Sequence, residues 1–312
     1  MAYIYGPVPS RRLGRSLGVD LVPFKTCSYD CIYCQLGRTT NKTVEQREWF
    51  PLDDVLTELK DNLATAPDYI TLSGSGEPTL YSRLGELVDG IRSMTDVPVA
   101  LLTNGSLLWR KDLREQLMGL DLVVPTLDAG NSRMFKLINR PHRSISFEQM
   151  LEGLITFRRE FSGSYWLEVF ILAGHNAEEA EVREIVECTD RIRPDLVQLN
   201  TATRPPAEEY AVMADRHVMH EVAARFDPPA DVIADYKAGH GQSELVSNRD
   251  TVLEMIRRRP CSTDDIASGL GLHRNEVLKY LDELDAAGLL RKQRSGGRTF
   301  YSGRHDSAKD DY

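Results

Sequence analysis

The residues of this sequence best suited to chemistry are three cysteines, Cys27, Cys31 and Cys34, spaced C-x3-C-x2-C. Thiolates this close together either bind one metal centre or act as redox partners of one another. Zinc sites usually take four ligands from paired C-x2-C units or Cys/His sets, but the other two cysteines, Cys188 and Cys261, are isolated. Three sulfurs suit a cubane [4Fe-4S] cluster whose fourth iron stays open to a substrate. The spacing therefore predicts a catalytic iron–sulfur site.

The segment Cys27-Ser-Tyr-Asp-Cys31-Ile-Tyr-Cys34 resembles the cluster-binding loop of the radical S-adenosylmethionine (SAM) superfamily, including the aromatic Tyr33 before the last cysteine. The resemblance implies that SAM chelates the open iron and is cleaved reductively to a 5′-deoxyadenosyl radical, which abstracts hydrogen from the substrate. It also implies an electron donor such as flavodoxin or ferredoxin. A zinc knuckle and three unrelated buried cysteines are the alternatives.

Composition limits the class of protein. The chain has 312 residues, of which 41% are hydrophobic and 27% charged, which is typical of a soluble protein with room for two domains. No apolar run approaches the ~20 residues of a membrane span, and the N-terminus lacks the apolar core of a signal peptide. An odd, clustered set of five cysteines favours a reducing compartment, so we expect a cytoplasmic protein without membrane contact. The net charge of −9 argues against nucleic-acid binding by the whole surface, though not by a local patch.

Short apolar runs alternate with amphipathic segments up to about residue 245, which predicts an α/β fold with a parallel sheet covered by helices. The predicted strands are Leu17–Val22, Tyr69–Ser73, Val97–Thr103, Leu122–Asp128, Trp166–Leu172 and Leu196–Asn200. The predicted helices are Pro51–Leu63, Leu84–Ser93, Lys111–Met118, Phe147–Phe161, Ala177–Arg191 and Ala207–Phe226. Six such units match the partial (β/α)6 TIM-like barrel of radical SAM enzymes, in which chemistry takes place at the carboxyl ends of the strands.

The loop after the second predicted strand, Ser73-Gly74-Ser75-Gly76-Glu77-Pro78, resembles the family's Gly-Gly-Glu loop. The resemblance implies that it binds the amino group of SAM. Glycines allow close backbone approach, and a carboxylate offsets an ammonium charge. The alternative is a plain strand-to-helix turn.

Polar residues also follow the later strands. We predict SAM or substrate contacts from five of them, Asn104, Asp128, Gly174, Asn176 and Asn200. Asn104 and Asn200 could equally cap the next helix, whereas a carboxylate such as Asp128 is costly in a barrel mouth unless it is paired.

Three other features have simpler interpretations. His175 is interpreted as a turn residue and Cys188 as part of the core. Arg11, Arg12 and Arg15 could bind a phosphate or the SAM carboxylate, or could form a solvated basic turn.

A finer resemblance is to a bacterial and archaeal group related to the 4-demethylwyosine synthase-like enzymes of tRNA wybutosine biosynthesis. The residues that carry it are Tyr5–Gly14, the Ser-Gly-Glu-Pro loop, Leu127–Ala129 and Asn139–Pro141. Those enzymes use a second cluster on upstream cysteines and a lysine before the cysteine loop. This sequence has no cysteine before Cys27 and no lysine before Lys25. The departure disfavours the tricyclic-base reaction and leaves a related RNA substrate open.

The pattern changes after residues 1–236, the predicted radical SAM core. Residues 237–248 are interpreted as a linker and 305–312 as a disordered tail. Residues 249–304 predict three helices and a β-hairpin, a winged helix-turn-helix that resembles the DNA-binding domains of bacterial repressors. Its wing is basic, which fits phosphate contacts, but a winged helix also docks RNA or protein. The predicted elements are Arg249–Arg258, a helix from the Ser262–Asp265 cap to Gly269, Arg274–Ala287, Leu289–Arg294 and Arg298–Tyr301.

These patterns favour a SAM-cleaving iron–sulfur enzyme that acts on an unidentified substrate, RNA or protein among the candidates. The rival from another class is a redox-sensing cluster protein that binds DNA and does not turn over. The winged helix favours the rival, whereas a SAM-type loop disfavours it because a sensor needs no SAM pocket.

Overall fold

A computed structural model of the protein describes residues 3–10, 12–234 and 249–304. The predicted linker, the predicted tail and Arg11 lie outside these residues. Within the described residues, no helix combines the length and apolar composition that a membrane span requires.

A mostly parallel sheet forms the centre of residues 3–234. Its strands follow the order β1-β2-β5-β6-β7-β8-β9-β11, and β10 pairs with β8. Six consecutive strands from β2 to β9, and then β11, run parallel, whereas β1 lies antiparallel to β2. The strands of the central sheet are β1 (Ile4–Ser10), β2 (Gly14–Val19), β5 (Tyr69–Leu72), β6 (Val99–Thr103), β7 (Leu122–Pro125), β8 (Ser164–Ala173), β9 (Leu196–Thr201), β10 (Val212–Met213) and β11 (Asp231–Val232). The short strands β3 (Thr26–Cys27) and β4 (Asn41–Lys42) form a separate two-stranded sheet.

Helices follow most of the parallel strands and bury one apolar face each. On the first helix, the apolar spacing predicts one face made of Leu52, Val55, Leu56, Leu59 and Leu63. Leu52, Val55 and Leu59 are buried there, whereas Leu56 and Leu63 are half-buried. The helices are α1 (Leu52–Asn62), α2 (Leu84–Met94), α3 (Lys111–Gln116), α4 (Ser132–Ile138), α5 (Phe147–Glu160), α6 (Glu179–Ile192) and α7 (Arg216–Ala223). The α/β class with a mostly parallel sheet is therefore confirmed.

Two predicted helices need correction. The predicted helix Ala207–Phe226 is too long, because only its second half is helical and Val212–Met213 pairs with β8 instead. In the second, Arg274–Ala287, the apolar pattern predicts that Val277, Leu278, Leu281 and Leu284 all face inward, but Leu278 is 37% exposed. Positions 277, 281 and 284 form one i, i+4, i+7 stripe along the helix, and Leu278 falls outside it.

The C-terminal segment, residues 249–304, has an apolar core of its own, which includes Val252, Ile256, Leu281 and Leu284. The reciprocal hydrogen bonds of a capping box, between Ser262 and Asp265, begin its second helix as the sequence predicts. Its elements are α8 (Arg249–Arg258), β12 (Cys261–Ser262), α9 (Thr263–Leu270), α10 (Arg274–Ala286), β13 (Leu290–Ser295) and β14 (Arg298–Gly303), with strand order β12-β14-β13.

Candidate functional site

A cavity of about 630 Å³ lies at the carboxyl edge of the parallel strands, a size typical of ligand pockets. The cysteine loop, the Ser73–Glu77 loop and the ends of β6 and β9 contribute to its wall, and α8 of the C-terminal segment contributes as well. Besides the cysteines, eleven residues are predicted to contribute to the site, from the cysteine loop and from the strand ends or the loops that follow them. Those that line the cavity are Tyr33, Ser73, Gly74, Ser75, Gly76, Glu77, Asn104 and Asn200, with Cys27, Cys31 and Cys34.

The cysteine loop is fixed by backbone hydrogen bonds. The N–H of Cys34 donates to the carbonyl of Cys31 at 3.1 Å, which closes a tight turn between two of the sulfurs. The N–H of Ile32 donates to the carbonyl of Ile138 at 2.9 Å, so the end of α4 supports the loop from outside. These two hydrogen bonds fix the loop, and its three thiols lie on the wall of a single cavity.

The protein environment raises the pKa of all three thiols, chiefly because burial disfavours the charged thiolate. The pKa of Cys27 rises to about 12, with the nearby Glu77 carboxylate as the second cause. Two amides nevertheless donate to sulfur: Asn104 Nδ2 lies 3.5 Å from Cys27 Sγ, and Asn139 Nδ2 lies 3.6 Å from Cys31 Sγ. Desolvated thiols with N–H donors directed at them fit a cationic metal centre. Such a centre would stabilise the thiolates and so lower the pKa of the thiols.

All five cysteines carry free thiols. Across the described ranges, no three His, Cys, Asp or Glu side chains converge closely enough to bind one metal ion. A cubane cluster does not require such convergence, because each cysteine binds a different iron.

The Ser73–Glu77 loop packs directly against the cysteine loop. The N–H of Glu77 donates to the carbonyl of Thr26 at 3.0 Å, and the N–H of Lys25 donates to the carbonyl of Ser75 at 2.7 Å. A Cβ at Gly76 would lie 1.8 Å from the carbonyl oxygen of Thr26. Glycine is therefore required at position 76 for the two backbones to meet.

The Glu77 carboxylate is only 2% exposed and already accepts four hydrogen bonds. The donors are the N–H and hydroxyl of Thr79, the hydroxyl of Thr103 and the N–H of Asn104, at 2.6–3.0 Å. Burial raises its pKa and these donors oppose the rise. As placed, this carboxylate joins the loop to the end of β6, where Asn104 contacts the sulfur of Cys27.

Sequence reasoning missed Asp20, which follows β2 directly and is 6% exposed. Its carboxylate accepts from the N–H and hydroxyl of Ser75 at 3.0 and 2.5 Å, and from Arg258 Nη1 at 2.9 Å. Burial raises its pKa, while Arg258 and Ser75 lower it. The sequence signal that could have indicated Asp20 is an acidic residue at the end of a buried strand.

Three predicted contact residues, Asp128, Gly174 and Asn176, are not on the cavity wall. The amide of Asn176 is fully buried and donates to the carbonyls of Asp128 and Phe170, both at 2.8 Å, which ties β8 to the end of β7. Asp128 accepts from the hydroxyl of Tyr33 at 2.5 Å, while the Tyr33 ring stacks on Phe170 with a centroid distance of 3.9 Å. These residues support the wall from behind.

Burial raises the pKa of Asp128 from 3.8 to about 6, and hydrogen bonds from Tyr33 and Asn139 oppose the rise. A carboxyl with a raised pKa in the folded state stabilises the fold at low pH, and this contribution is lost as pH rises to about 6. We therefore expect the stability advantage of the wild-type apoprotein over Asp128→Asn to shrink between about pH 4 and pH 6. Urea unfolding of both proteins across this range measures it. An advantage that stays constant or grows with pH would contradict the assignment.

Glu168 is a second cavity residue that the sequence analysis missed. Arg12 Nη1 lies 2.5 Å from Glu168 Oε2, and Asn200 Nδ2 donates to the other oxygen of Glu168 at 3.0 Å. Arg12 is thus an ion-paired wall residue, whereas Arg15 donates to the carbonyl of Thr65 on the outer side. His175 lies in a turn and Cys188 in the main core, as expected.

The family model described as the radical SAM superfamily matches residues 21–188, more than half of the chain. The chain belongs to the radical SAM superfamily. Membership supports both predicted cofactors, the [4Fe-4S] cluster and SAM, and places the chain in a superfamily of enzymes.

Relatives extend the match beyond that range. A UPF0026 protein of Methanocaldococcus jannaschii is 38% identical over 231 residues, covering 73% of this radical SAM chain and 72% of the relative. A protein named GTPase Obg in Brachyspira hyodysenteriae is 39% identical over 305 residues, which is 96% of this chain but 45% of that protein. The chain therefore spans less than half the length of that relative.

Solved structures share the fold of this radical SAM chain. A radical SAM methyltransferase from Sphaerobacter thermophilus has a TM-score of 0.53 at 12% identity, covering 72% of this chain and 67% of that one. Streptococcus suis SuiB bound to SAM has a TM-score of 0.51 at 15% identity, covering 69% of this chain and 49% of that one. At these identities the likeness concerns the fold alone.

Proposed function

We propose that the protein uses a [4Fe-4S] cluster on Cys27, Cys31 and Cys34 to cleave SAM reductively and abstract hydrogen from a substrate. The observation that carries the proposal is the shared cavity. Three desolvated thiols, two of which receive amide donors, lie on the same wall as a glycine loop whose backbone contacts the cysteine loop. When bound, the cluster and SAM supply the 5′-deoxyadenosyl radical.

The residues of the chain have distinct roles in this proposal. Asn104 and Asn139 donate to cysteine sulfurs and orient them. The backbone of Ser73–Gly76 faces the SAM side of the cavity. Glu77 positions that loop through the four hydrogen bonds that its carboxylate accepts, rather than by direct contact with SAM. Tyr33 and Asn200 line the remaining wall, and Asp128 holds Tyr33 in place.

Asn139→Ala is expected to weaken iron retention by about 10- to 100-fold, the usual cost of removing a residue that orients a metal ligand. Its amide reaches both Cys31 Sγ and Asp128 Oδ2, the latter at 2.6 Å. Iron release to a chelator, followed by absorbance, measures the effect. Asn62→Ala is the matched control, because its amide donates to the carbonyl of Glu58 at the end of α1. Equal iron release from both variants would contradict the role.

The test of the function is anaerobic reconstitution followed by assay for 5′-deoxyadenosine with SAM and a reductant. Formation of 5′-deoxyadenosine is the expected result. Protein that binds iron and sulfide but forms none favours the DNA-binding regulator instead, and zinc in place of iron favours a zinc-bound scaffold.

We also propose that the C-terminal segment is a winged helix, since three helices and a three-stranded antiparallel sheet enclose a core of their own. The exposed start of α10 and the basic wing support contact with a nucleic acid or protein substrate. We further propose that a flavodoxin or ferredoxin donates the electron and that the protein is cytoplasmic. We also propose that its core is a partial barrel and that the chain is related to the 4-demethylwyosine synthase-like group.

A further inference from the structure

One helix of the C-terminal segment forms the side of the cavity that the sheet leaves open. Its residues Thr251, Glu254, Met255 and Arg258 line the cavity. Their spacing of i, i+3, i+4 and i+7 places them on one face of α8. The opposite face contributes Val252 and Ile256 to the core of the segment. The C-terminal segment thus contributes one wall of the cavity.

This wall is tied to the glycine loop. Arg258 pairs with Asp20, which holds Ser75, and its guanidinium carbon also lies 4.1 Å from the centroid of the Tyr5 ring. A second ion pair, between Arg204 and Asp265 at 3.6 Å, joins the loop after β9 to α9. The contacts fix α8 beside the loop proposed for SAM.

The cavity wall is basic although the chain is acidic. Its cations outnumber its carboxylates by five to three, whereas the whole chain has a net charge of −9. Two of the carboxylates are engaged, Glu77 by hydrogen-bond donors and Glu168 by Arg12. The cations are Arg12, Lys25, Arg204, Arg258 and Arg259.

Two of these cations, Lys25 and Arg259, form no ion pair with any residue in the described parts of the chain. Both are only partly exposed. The Lys25 ammonium lies 5.2 Å from the centroid of the Phe24 ring, and it lowers the pKa of the Cys34 thiol. Cations that face a cavity without forming an ion pair are suited to binding an anion.

We propose that the cavity binds a substrate that carries an oxyanion group, phosphate or carboxylate, and that Arg259, which directly follows α8, binds this group. The inference rests on the proposed function, since SAM and the cluster would occupy the thiol side of the cavity. Arginine matches the geometry of both oxyanions through paired N–H donors.

The experiment uses reconstituted, SAM-saturated protein under anaerobic conditions. Sodium phosphate and sodium acetate are titrated separately by calorimetry at constant ionic strength, with chloride as the reference anion. We expect one or both to bind, and the stronger of the two identifies the substrate class. Arg259→Gln should raise the dissociation constant at least about tenfold, because it removes a charged donor.

Matched variants keep the test specific. Arg257→Gln changes the neighbouring, exposed arginine, which is not on the cavity wall, and Lys111→Gln changes an exposed lysine on α3. Both should bind the anion as the wild type does. Arg259→Lys keeps the charge and should recover part of the affinity, which separates loss of binding from loss of fold.

The proposal is overturned if neither anion binds more tightly than chloride, or if Arg257→Gln weakens binding as much as Arg259→Gln. The production of 5′-deoxyadenosine without added substrate is measured in parallel. SAM cleavage without anion binding would refute the oxyanion site alone. Anion binding that depends on Arg259, without SAM cleavage, would refute the proposed function and leave the anion site in place.

Discussion

Replacement of Cys31 by serine is expected to abolish cluster binding and to lower 5′-deoxyadenosine formation more than about 100-fold, beyond the cost of losing an orienting residue. The same result is expected for Cys27→Ser and Cys34→Ser, since each thiol of the proposed site would bind one iron. Serine keeps the size of the side chain, so the effect on packing is small. Iron and labile sulfide analysis, with the absorbance of the reconstituted protein, measures the loss.

Cys188→Ser is the control for this series. The thiol of Cys188 is buried in the main core on α6, away from the cavity. This variant should be less stable but should retain its iron. Full iron and sulfide content in all three loop variants, or equal loss in Cys188→Ser, would refute the cluster assignment.

The second large effect is expected from Gly76→Ala. The added Cβ would lie 1.8 Å from the carbonyl oxygen of Thr26, which is a backbone atom, so no side chain can move aside. The clash must separate the two loops and break the hydrogen bond from the Glu77 N–H to the Thr26 carbonyl. We expect a loss of about 3 kcal/mol or more in the free energy of unfolding, together with loss of iron, because Cys27 follows Thr26 directly.

Gly85→Ala provides the comparison. At this position on α2 a Cβ would have its nearest contact at 3.4 Å, from the side chain of Gln116, which is ordinary packing. Alanine is also the better helix former, by about 1 kcal/mol. Urea unfolding should therefore show little change or a gain in stability for Gly85→Ala. An equal effect of both substitutions would show that the loop contact does not hold the cysteines.

Much of the fold could be predicted because its signals are local. The six parallel strands and most helices follow from alternating apolar runs, and α8 was predicted with the bounds it has. Strand β1 was missed because Pro7 and Pro9 interrupt its pattern, and prolines are tolerated there since the strand lies at the edge of the sheet. Similarly, the apolar residues near Val212 have a helix-like spacing, yet pairing with β8 determines their structure.

The candidate site was predicted where a motif marks it and missed where only contacts define it. The three cysteines and the glycine loop are contiguous in sequence, and they share one cavity. Asp20 and Arg258 are 238 positions apart, so nothing local indicates that they meet. Asn176 has the expected position at a strand end, but its amide is turned inward to backbone carbonyls.

The way the C-terminal segment is attached has a consequence for handling the protein. The segment keeps a separate apolar core, and the ion pairs Arg258–Asp20 and Arg204–Asp265 fasten it to the sheet. Concentrated salt screens ionic contacts, whereas apolar cores withstand it. Purification at high ionic strength would therefore weaken the attachment of the segment without unfolding it, and would leave the cysteine cavity more open to dioxygen.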